Sequence, residues 1–429
     1  MKKYYELGKK ILFPITRSLT GNGVRKTLNI IKKEFPKLKI KKIKSGTKVF
    51  DWRVPEEWNI SDAYIIDKYG DKIINFKESN LHVVGYSVPV NRIIKKKELL
   101  KNLHSLKNQP NAIPYITSYY NKSWGFCLTY NQLKKINKNY SDKDSFKVVI
   151  NSKLKKKGIL NYGELIIKGK STQEILVSTY ICHPSMANNE LSGPIVSMGL
   201  INHFQKTKNL KKTLRFLFIP ETIGSISYLS KNLKVLKKKV IGGYNLSCIG
   251  DERGHSCMFS KYSNSLSDEA IIQAYKNLKI KNYKVYSFLE RGSDERQYNS
   301  PGIDLPIASI FRTKYGKYPE YHTSLDNFKL VTLMGVKGGF KVAKEAIEII
   351  QKNIYPKATI LCEPQMGKRG LYPTLSTKQK KTSSKAYLSF LQYSDGKNSI
   401  NKISKLIMLN LNLTKKIYKK LLDHKMITY

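Results

Sequence analysis

Residues 178–193 read STYICHPSMANNELSG. Apolar, β-branched and aromatic residues run up to Cys182. The pattern then breaks at His183-Pro184, passes through Asn188-Asn189-Glu190, and resumes after Ser192-Gly193 with helical periodicity. The stretch therefore predicts a strand over Ile175–Ile181, a polar turn, and a helix over Leu191–Phe204. A second short apolar run, Leu214–Ile219, follows that helix, and both runs lack alternation, as expected of strands covered on both faces. Strand, helix, strand, with a further long helix predicted over Val336–Ile350, argues for a three-layer α/β core.

Other polar residues stand where predicted strands end. LFIPETIGS (217–225) leaves its strand at Glu221, and NLSCIGDERG (245–254) places Asp251 after an apolar run. SDERQYNSPGIDLP (293–306) and YPEYHTSLDN (318–327) contribute Asp294 and His322. In open α/β sheets ligands collect at the carboxyl ends of the strands, where such loops meet. Imidazole and carboxylate suit Zn²⁺, and a hydrolytic site combines a Lewis acid with a carboxylate that takes a proton from water. The set predicts a metal site of His183, Glu221, Asp251 and His322, with a carboxylate among them as the base. Taken singly, each of these residues is more often a structural histidine, a helix cap or a surface acid. Their common placement at strand ends raises them above that.

Outward from this centre, Val24–Phe35 has helical spacing, with Ser18 or Thr20 as candidate caps and Pro36 as terminator. Between 48 and 145 short runs such as Ala63–Ile66, Val83–Tyr86 and Phe126–Tyr130 alternate with turn residues, and aromatics cluster in YITSYYNKSWGFCLTY (115–130). This reads as a small β-rich domain. Beyond the linker EPQMGKRGLYP (363–373), helices are predicted over Lys385–Leu391, Ser399–Leu409 and Thr414–His424, which fits a helix-turn-helix or winged-helix module. The segment from Lys357 onward carries 15 Lys+Arg against 3 Asp+Glu.

Composition constrains the class. The chain has 429 residues, 41% hydrophobic and 25% charged, which suits a globular protein of two or three domains. No run approaches the roughly 18 apolar residues of a membrane span. The apolar stretch Ile11–Ile15 is too short for a signal-peptide core, and with no cleavage site behind it the expected location is cytoplasmic. Five scattered cysteines form no CxxC pair, so neither a disulfide framework nor a thiolate zinc cluster is expected. The formal charge of +47 is mostly lysine spread along the whole chain, as compositional drift would produce; nucleic-acid binding is the less favoured explanation.

Several of these segments resemble the motifs of a bacterial aminopeptidase-like family found among polysaccharide-biosynthesis genes and distantly related to di-zinc aminopeptidases. They are CHPSMANNELSG (182–193), IPETIGSISYLS (219–230), SDERQYNSPGIDLP and YPEYHTSLDN, joined by RSLTGNGVRKTL (17–28) and SGTKVFDWRVPEEWNI (45–60). The resemblance implies a zinc-aminopeptidase-like (phosphorylase/hydrolase-like) core over 1–47 and 146–355, an inserted β-rich domain over 48–145, and a winged helix over 360–429. It implies one or two Zn²⁺ ions, a peptide or modified-sugar amide as substrate, and a protein partner docking on the winged helix, with no membrane association. His183 matches the first metal histidine and His322 the last. Glu221 matches one of two paired acids, the other being replaced by Thr222. Asn189 stands at the place of the carboxylate that bridges two zincs, with Glu190 beside it, and an amide is a far weaker zinc ligand. Bridging or supporting roles are thus open for Asn189, Glu190 and Asp294, and Tyr321 is a candidate for positioning substrate. Ser185 stands where the peptidases often have the aspartate that orients the first histidine.

Overall fold

The computed structural model describes residues 1–371 and 384–428. Its centre is an eight-stranded mixed sheet. Strand Ser171–Tyr180 lies in the middle, parallel to Lys212–Ile219 on one side and Val240–Leu246 on the other. Ile307–Phe311 extends the parallel set beyond Val240–Leu246. The edges are antiparallel additions: Ile159–Ile167 with Lys39–Lys44 at one side, and Ser256–Met258 with its parallel neighbour Lys284–Tyr286 at the other.

Side chains alternate across each strand, and this assigns the two faces. Ile175 and Val177, with Leu214, Phe216 and Phe218, pack under helices Asn22–Glu34, Ser192–Gln205, Leu266–Asn277 and Leu333–Lys352. Leu176 and Tyr180, with Leu217 and Ile219, face helix Ile223–Lys239. Strands 171–180 and 212–219 are therefore apolar on both sides, which explains their unbroken hydrophobic runs. The helix that follows the ANNEL turn starts where the chain crosses the sheet closely. A Cβ on Gly193 would collide with the Thr179 hydroxyl and the Leu246 carbonyl oxygen, so only glycine fits.

The second sheet departs from expectation at its boundary. It has four antiparallel strands, Lys72–Asn75, Glu57–Ile66, Ser145–Lys155 and Val90–Lys95, in that spatial order. Strand Ser145–Lys155 was expected in the α/β core, yet it pairs only with its two neighbours here, so the smaller sheet runs to Lys155. Val83–Tyr86 makes only isolated bridges, and Phe126–Cys127 is followed by a helix, Tyr130–Asn139, rather than by more strand. The helix starting at Asn22 is capped neither by Ser18 nor by Thr20. Gly21, at φ 91°, precedes it, and the Thr20 hydroxyl instead bonds Tyr86 and accepts the Trp58 N–H.

The C-terminal module has three helices, Ser384–Gln392, Ile400–Leu406 and Leu411–Asp423, around Phe390, Ile403, Ile417 and Leu421. A two-stranded wing pairs Lys357–Ala358 with Ile427–Thr428, so the module begins before residue 360. Lys402 joins it to the core through an ion pair with Glu269 at 3.1 Å. Among the described residues no helix is long and apolar enough to cross a membrane.

The seam between the small sheet and the core is held by Glu57, 3% exposed, which takes a bidentate contact from Arg25 (2.7 and 3.0 Å) and the Ile159 N–H at 2.9 Å. Burial pushes this carboxyl upward, but Arg25, Asn59 and the backbone outweigh it and hold it at about 2. A carboxyl depressed on folding stabilises above its unfolded value near 4.5 and loses that contribution as pH falls toward 2. Urea unfolding of the wild type between pH 6 and 3 should therefore lose on the order of 2–3 kcal/mol that Glu57→Gln does not lose. Parallel pH profiles for the two proteins would show that the seam does not depend on this charge.

Candidate metal and hydrolytic site

The register of two parallel strands creates the centre of the site. Tyr180 is paired with Ile219, and the Ile181 N–H still bonds the Ile219 carbonyl at 3.0 Å, so the chain leaves both strands at one level. Three residues beyond Tyr180 and two beyond Ile219, His183 and Glu221 face each other, with Nε2 and Oε2 3.9 Å apart. His322 comes from the loop that follows strand Ile307–Phe311, in the left-handed region at φ 57°. Its imidazole lies 5.6 Å from that of His183, centroid to centroid.

Aromatic rings fix the second histidine. Tyr321 stacks on His322 at 3.9 Å and 16°. Tyr115 sets its edge against both imidazoles, 5.3 Å from His183 and 5.2 Å from His322. Tyr115 belongs to the aromatic cluster of the inserted region, which sequence reading assigned to that domain alone. It arrives because residues 113–115 zip onto the His322 loop: Tyr115 N–H donates to the His322 carbonyl at 2.8 Å, Ser324 N–H to the Ile113 carbonyl at 2.9 Å, and the Ser324 hydroxyl accepts the Ile113 N–H at 3.0 Å. Tyr119, also from this cluster, is a further ring near Glu221 and Arg296.

Glu221 is oriented by Ser293, whose hydroxyl donates to Oε1 at 2.6 Å and leaves Oε2 turned toward His183. Burial, above all, raises this carboxyl above the ordinary range, against the pull of His183. Burial and the neighbouring His183 push His322 down to about 3, so its ring is neutral. For His183 burial acts downward, but the carboxylate of Glu190 prevails and the net shift is upward.

Several predicted ligands are employed elsewhere. Asp251, expected to bind metal, has all its lone-pair positions taken: Oδ1 accepts Arg253 N–H (2.9 Å) and the Thr313 hydroxyl (2.7 Å), Oδ2 accepts Thr313 N–H and the Asn188 amide (both 3.0 Å). It is fully buried as the brace of its own loop, and the ligand assignment is corrected. Asp294 accepts Thr222 N–H at 2.8 Å and the Ser225 hydroxyl at 2.7 Å, with its carboxyl raised to about 7 by burial and Glu221. With Arg296 on the Thr222 hydroxyl (2.6 Å), it holds Thr222 at φ 61°, ψ −82°, a costly geometry for a β-branched residue. Glu190 turns behind His183, with Oε2 3.0 Å from Nδ1, and so does not bridge. Asn189 accepts the Tyr180 hydroxyl at 2.8 Å. Ser185 bonds Asn80 and the Phe13 carbonyl rather than the histidine.

The remaining donors, His183 Nε2, Glu221 Oε2 and the His322 ring, take no protein hydrogen bond among the described residues. Two imidazoles and a carboxylate from three chain segments fit one Zn²⁺ with an open position. They do not fit two ions, since Asn189 and Thr222 offer no carboxylate and Asp251 is saturated.

Asp326 was missed by sequence reading. Its carboxylate accepts Asn188 N–H (2.6 Å), Asn189 N–H (2.9 Å) and the Tyr318 hydroxyl (3.1 Å), which ties the ANNEL turn to the His322 loop. The only signal was its place four residues beyond His322 in one motif.

Residues 5–353 match the family described as a domain of unknown function, DUF4910, and residues 353–429 match a winged helix-turn-helix family. A Clostridium acetobutylicum protein, provisionally named a polysaccharide biosynthesis protein with an aminopeptidase-like domain, is 44% identical over 391 residues, which are 91% of this chain and 88% of that protein. A crystal structure from the same organism, provisionally described as a peptidase, superposes with a TM-score of 0.79 at 40% identity, covering 100% of this chain and 96% of that one. A zinc aminopeptidase of Bacillus subtilis, 12% identical, matches with a TM-score of 0.61 over 82% of this chain and 94% of its own. The last likeness concerns fold alone. The shared architecture is the mixed α/β sheet of aminopeptidase-like proteins, with a winged helix behind it.

Asp326→Ala would leave two buried N–H groups of the ANNEL turn without acceptors, at a cost of roughly 2–5 kcal/mol. Denaturant unfolding measures this, and a loss under 1 kcal/mol would mean that the turn does not depend on Asp326.

Proposed function

The chain belongs to the DUF4910 family, and on this aminopeptidase-like framework we propose that it is a metal-dependent hydrolase cleaving an amide bond at a single-ion site. The observation that carries this reading is the convergence of three unclaimed donors, His183 Nε2, His322 and Glu221 Oε2, at the ends of neighbouring strands and loops. A Zn²⁺ ion held there supplies a Lewis acid for the scissile carbonyl and makes water more acidic. A lone pair of the Glu221 carboxylate that the ion would leave free takes the proton of the attacking water and passes it to the leaving amine. The part-buried carboxyl of Glu221, raised above the ordinary range, suits it to both halves of that exchange. Ser293 keeps the carboxylate from rotating, Tyr321 keeps the His322 ring in plane, and Tyr115 and Tyr119 exclude bulk water.

The substrate is an amide of a small peptide or of a modified-sugar precursor; the name of the Clostridium relative favours the latter. All five cysteines are free and four are buried, which supports a reducing, cytoplasmic setting. On the winged helix, Lys415, Lys416, Lys419 and Lys420 are exposed. They suit phosphates better than base edges, so we assign the module to docking a protein partner rather than to reading DNA.

A second reading, a ligand-binding protein without catalysis, is favoured by Asn189 and Thr222 in place of carboxylates. Metal analysis together with hydrolysis of aminoacyl amides separates the two. The hydrolase reading expects about one zinc per chain and turnover. Glu221→Gln removes a metal donor and the base together, so it should weaken zinc binding in chelator competition as well as lower kcat/KM by about 10²–10⁴-fold in the zinc-loaded protein. Substoichiometric zinc and no turnover in the wild type would leave the binding reading standing.

A further inference from the structure

Arg17 is 1% exposed, a fully buried cation for which the chemistry above has no use. It comes from the segment before helix Asn22–Glu34, far in sequence from the strands that build the site. Its Nη1 donates to the Leu12 carbonyl at 2.6 Å, Nη2 to the Pro184 carbonyl at 3.3 Å, and Nε to the His183 carbonyl at 2.9 Å. Nε also lies 2.9 Å from Glu190 Oε1, an ion pair in which both side chains are 0% exposed. The other oxygen, Oε2, faces two nitrogens of one residue: the His183 backbone N–H and ring Nδ1, each at 3.0 Å.

We infer that Arg17 and Glu190 are positioning residues of the site, a buried pair that keeps the proton of His183 on Nδ1 and aims Nε2 into the cleft. The reasoning follows the carboxylate. A buried anion accepts only donors, so Nδ1 must carry the hydrogen and Nε2 is left with its lone pair. Arg17 attracts Oε1 by charge across 2.9 Å, its Nε hydrogen being given to the His183 carbonyl, and the backbone N–H of His183 fixes the height of Oε2. The imidazole therefore cannot turn without giving up its bond to Oε2. Arg17 also grips the carbonyls of His183 and Pro184, so backbone and ring are located by one guanidinium. A planar fork is suited to this; an ammonium would reach fewer of these acceptors. The charge of Arg17 offsets that of Glu190, which limits the pull of the carboxylate on the Nδ1 proton. The metal arm of this inference rests on the hydrolase reading above, whereas the tautomer arm does not.

The test uses the full chain with ¹⁵N-labelled histidine. Once the pH has been raised until the ¹⁵N shifts stop changing, the His183 resonances of the wild type should report the Nδ1–H form. The double variant Arg17→Met/Glu190→Met removes the pair together, since losing one partner alone would strand a buried charge. It should shift His183 toward the Nε2–H form and weaken Zn²⁺ affinity by about 10–100-fold in chelator competition. Should that variant fail to fold, Glu190→Asp keeps the charge but withdraws the carboxylate from Nδ1, and the same changes are expected in smaller degree. A folded variant with the wild-type tautomer and wild-type zinc affinity overturns the inference. If the wild type binds no zinc, the hydrolase reading fails, and the tautomer alone decides whether Arg17 and Glu190 position the ring.

Discussion

A carboxylate sealed from water behind an imidazole has to be neutralised by something, and here that something is a guanidinium from the other end of the domain. Glu190 touches no solvent, and its partners are Arg17 on one oxygen and His183 on the other. Burial of either charge alone would cost several kcal/mol. The pair therefore forms only when the N-terminal segment, the ANNEL turn and the end of the central strand are assembled together. The His183 ring thus has a defined direction only in the completed fold.

The same economy runs through the rest of the site. Asp251 and Asp326 are buried carboxylates that look like ligands by type, yet both are consumed in bonds to amide and hydroxyl donors of the loops. Asp294 commits Oδ1 to the Thr222 N–H and the Ser225 hydroxyl and keeps Oδ2 buried without a hydrogen bond among the described residues. Loops crossing the end of a sheet carry many unpaired amides, and a buried carboxylate can satisfy two or three at once. Asp326 does so for the ANNEL turn and Asp294 for the strained Thr222, so the acids that would enlarge the metal site instead keep its loops rigid. Among the described residues, His183 Nε2, Glu221 Oε2 and the His322 ring face one another free of protein hydrogen bonds.

This explains which parts were legible in the sequence. Ile175–Ile181 and Leu214–Ile219 revealed themselves because strands covered on both faces lose alternation, and strand ends then pointed to His183 and Glu221. Asp251 was misread because an acid after an apolar run has the same appearance whether it faces a cleft or braces its own loop; the four donors that decide it come from residues 188, 253 and 313. Strand Ser145–Lys155 was placed in the wrong sheet for a similar reason: its run is apolar enough for either, and pairing partners some 85 residues away decide. Tyr115 was out of reach altogether, since it enters the site through contacts between Ile113 and Ser324 that no local pattern encodes.

The charge pattern around the histidines bears on how many ions the cleft can hold. The side chain at 189 is an amide whose oxygen is committed to Tyr180 and whose Nδ2 is buried without a partner. It presents a donor, not an anion, to that side of the cleft. The adjacent negative charge, Glu190, lies behind His183 and is cancelled by Arg17. Two adjacent divalent cations need carboxylates between and around them to offset their mutual repulsion, which grows in a dry site. With Glu221 as the one anion turned toward His183 Nε2, the field suits a single ion. A second would meet the Asn189 amide and, beyond it, a neutralised ion pair. With the amide at 189 and the carboxylate at 190, the negative charge of this turn supports the His183 ring from behind instead of facing the other imidazole.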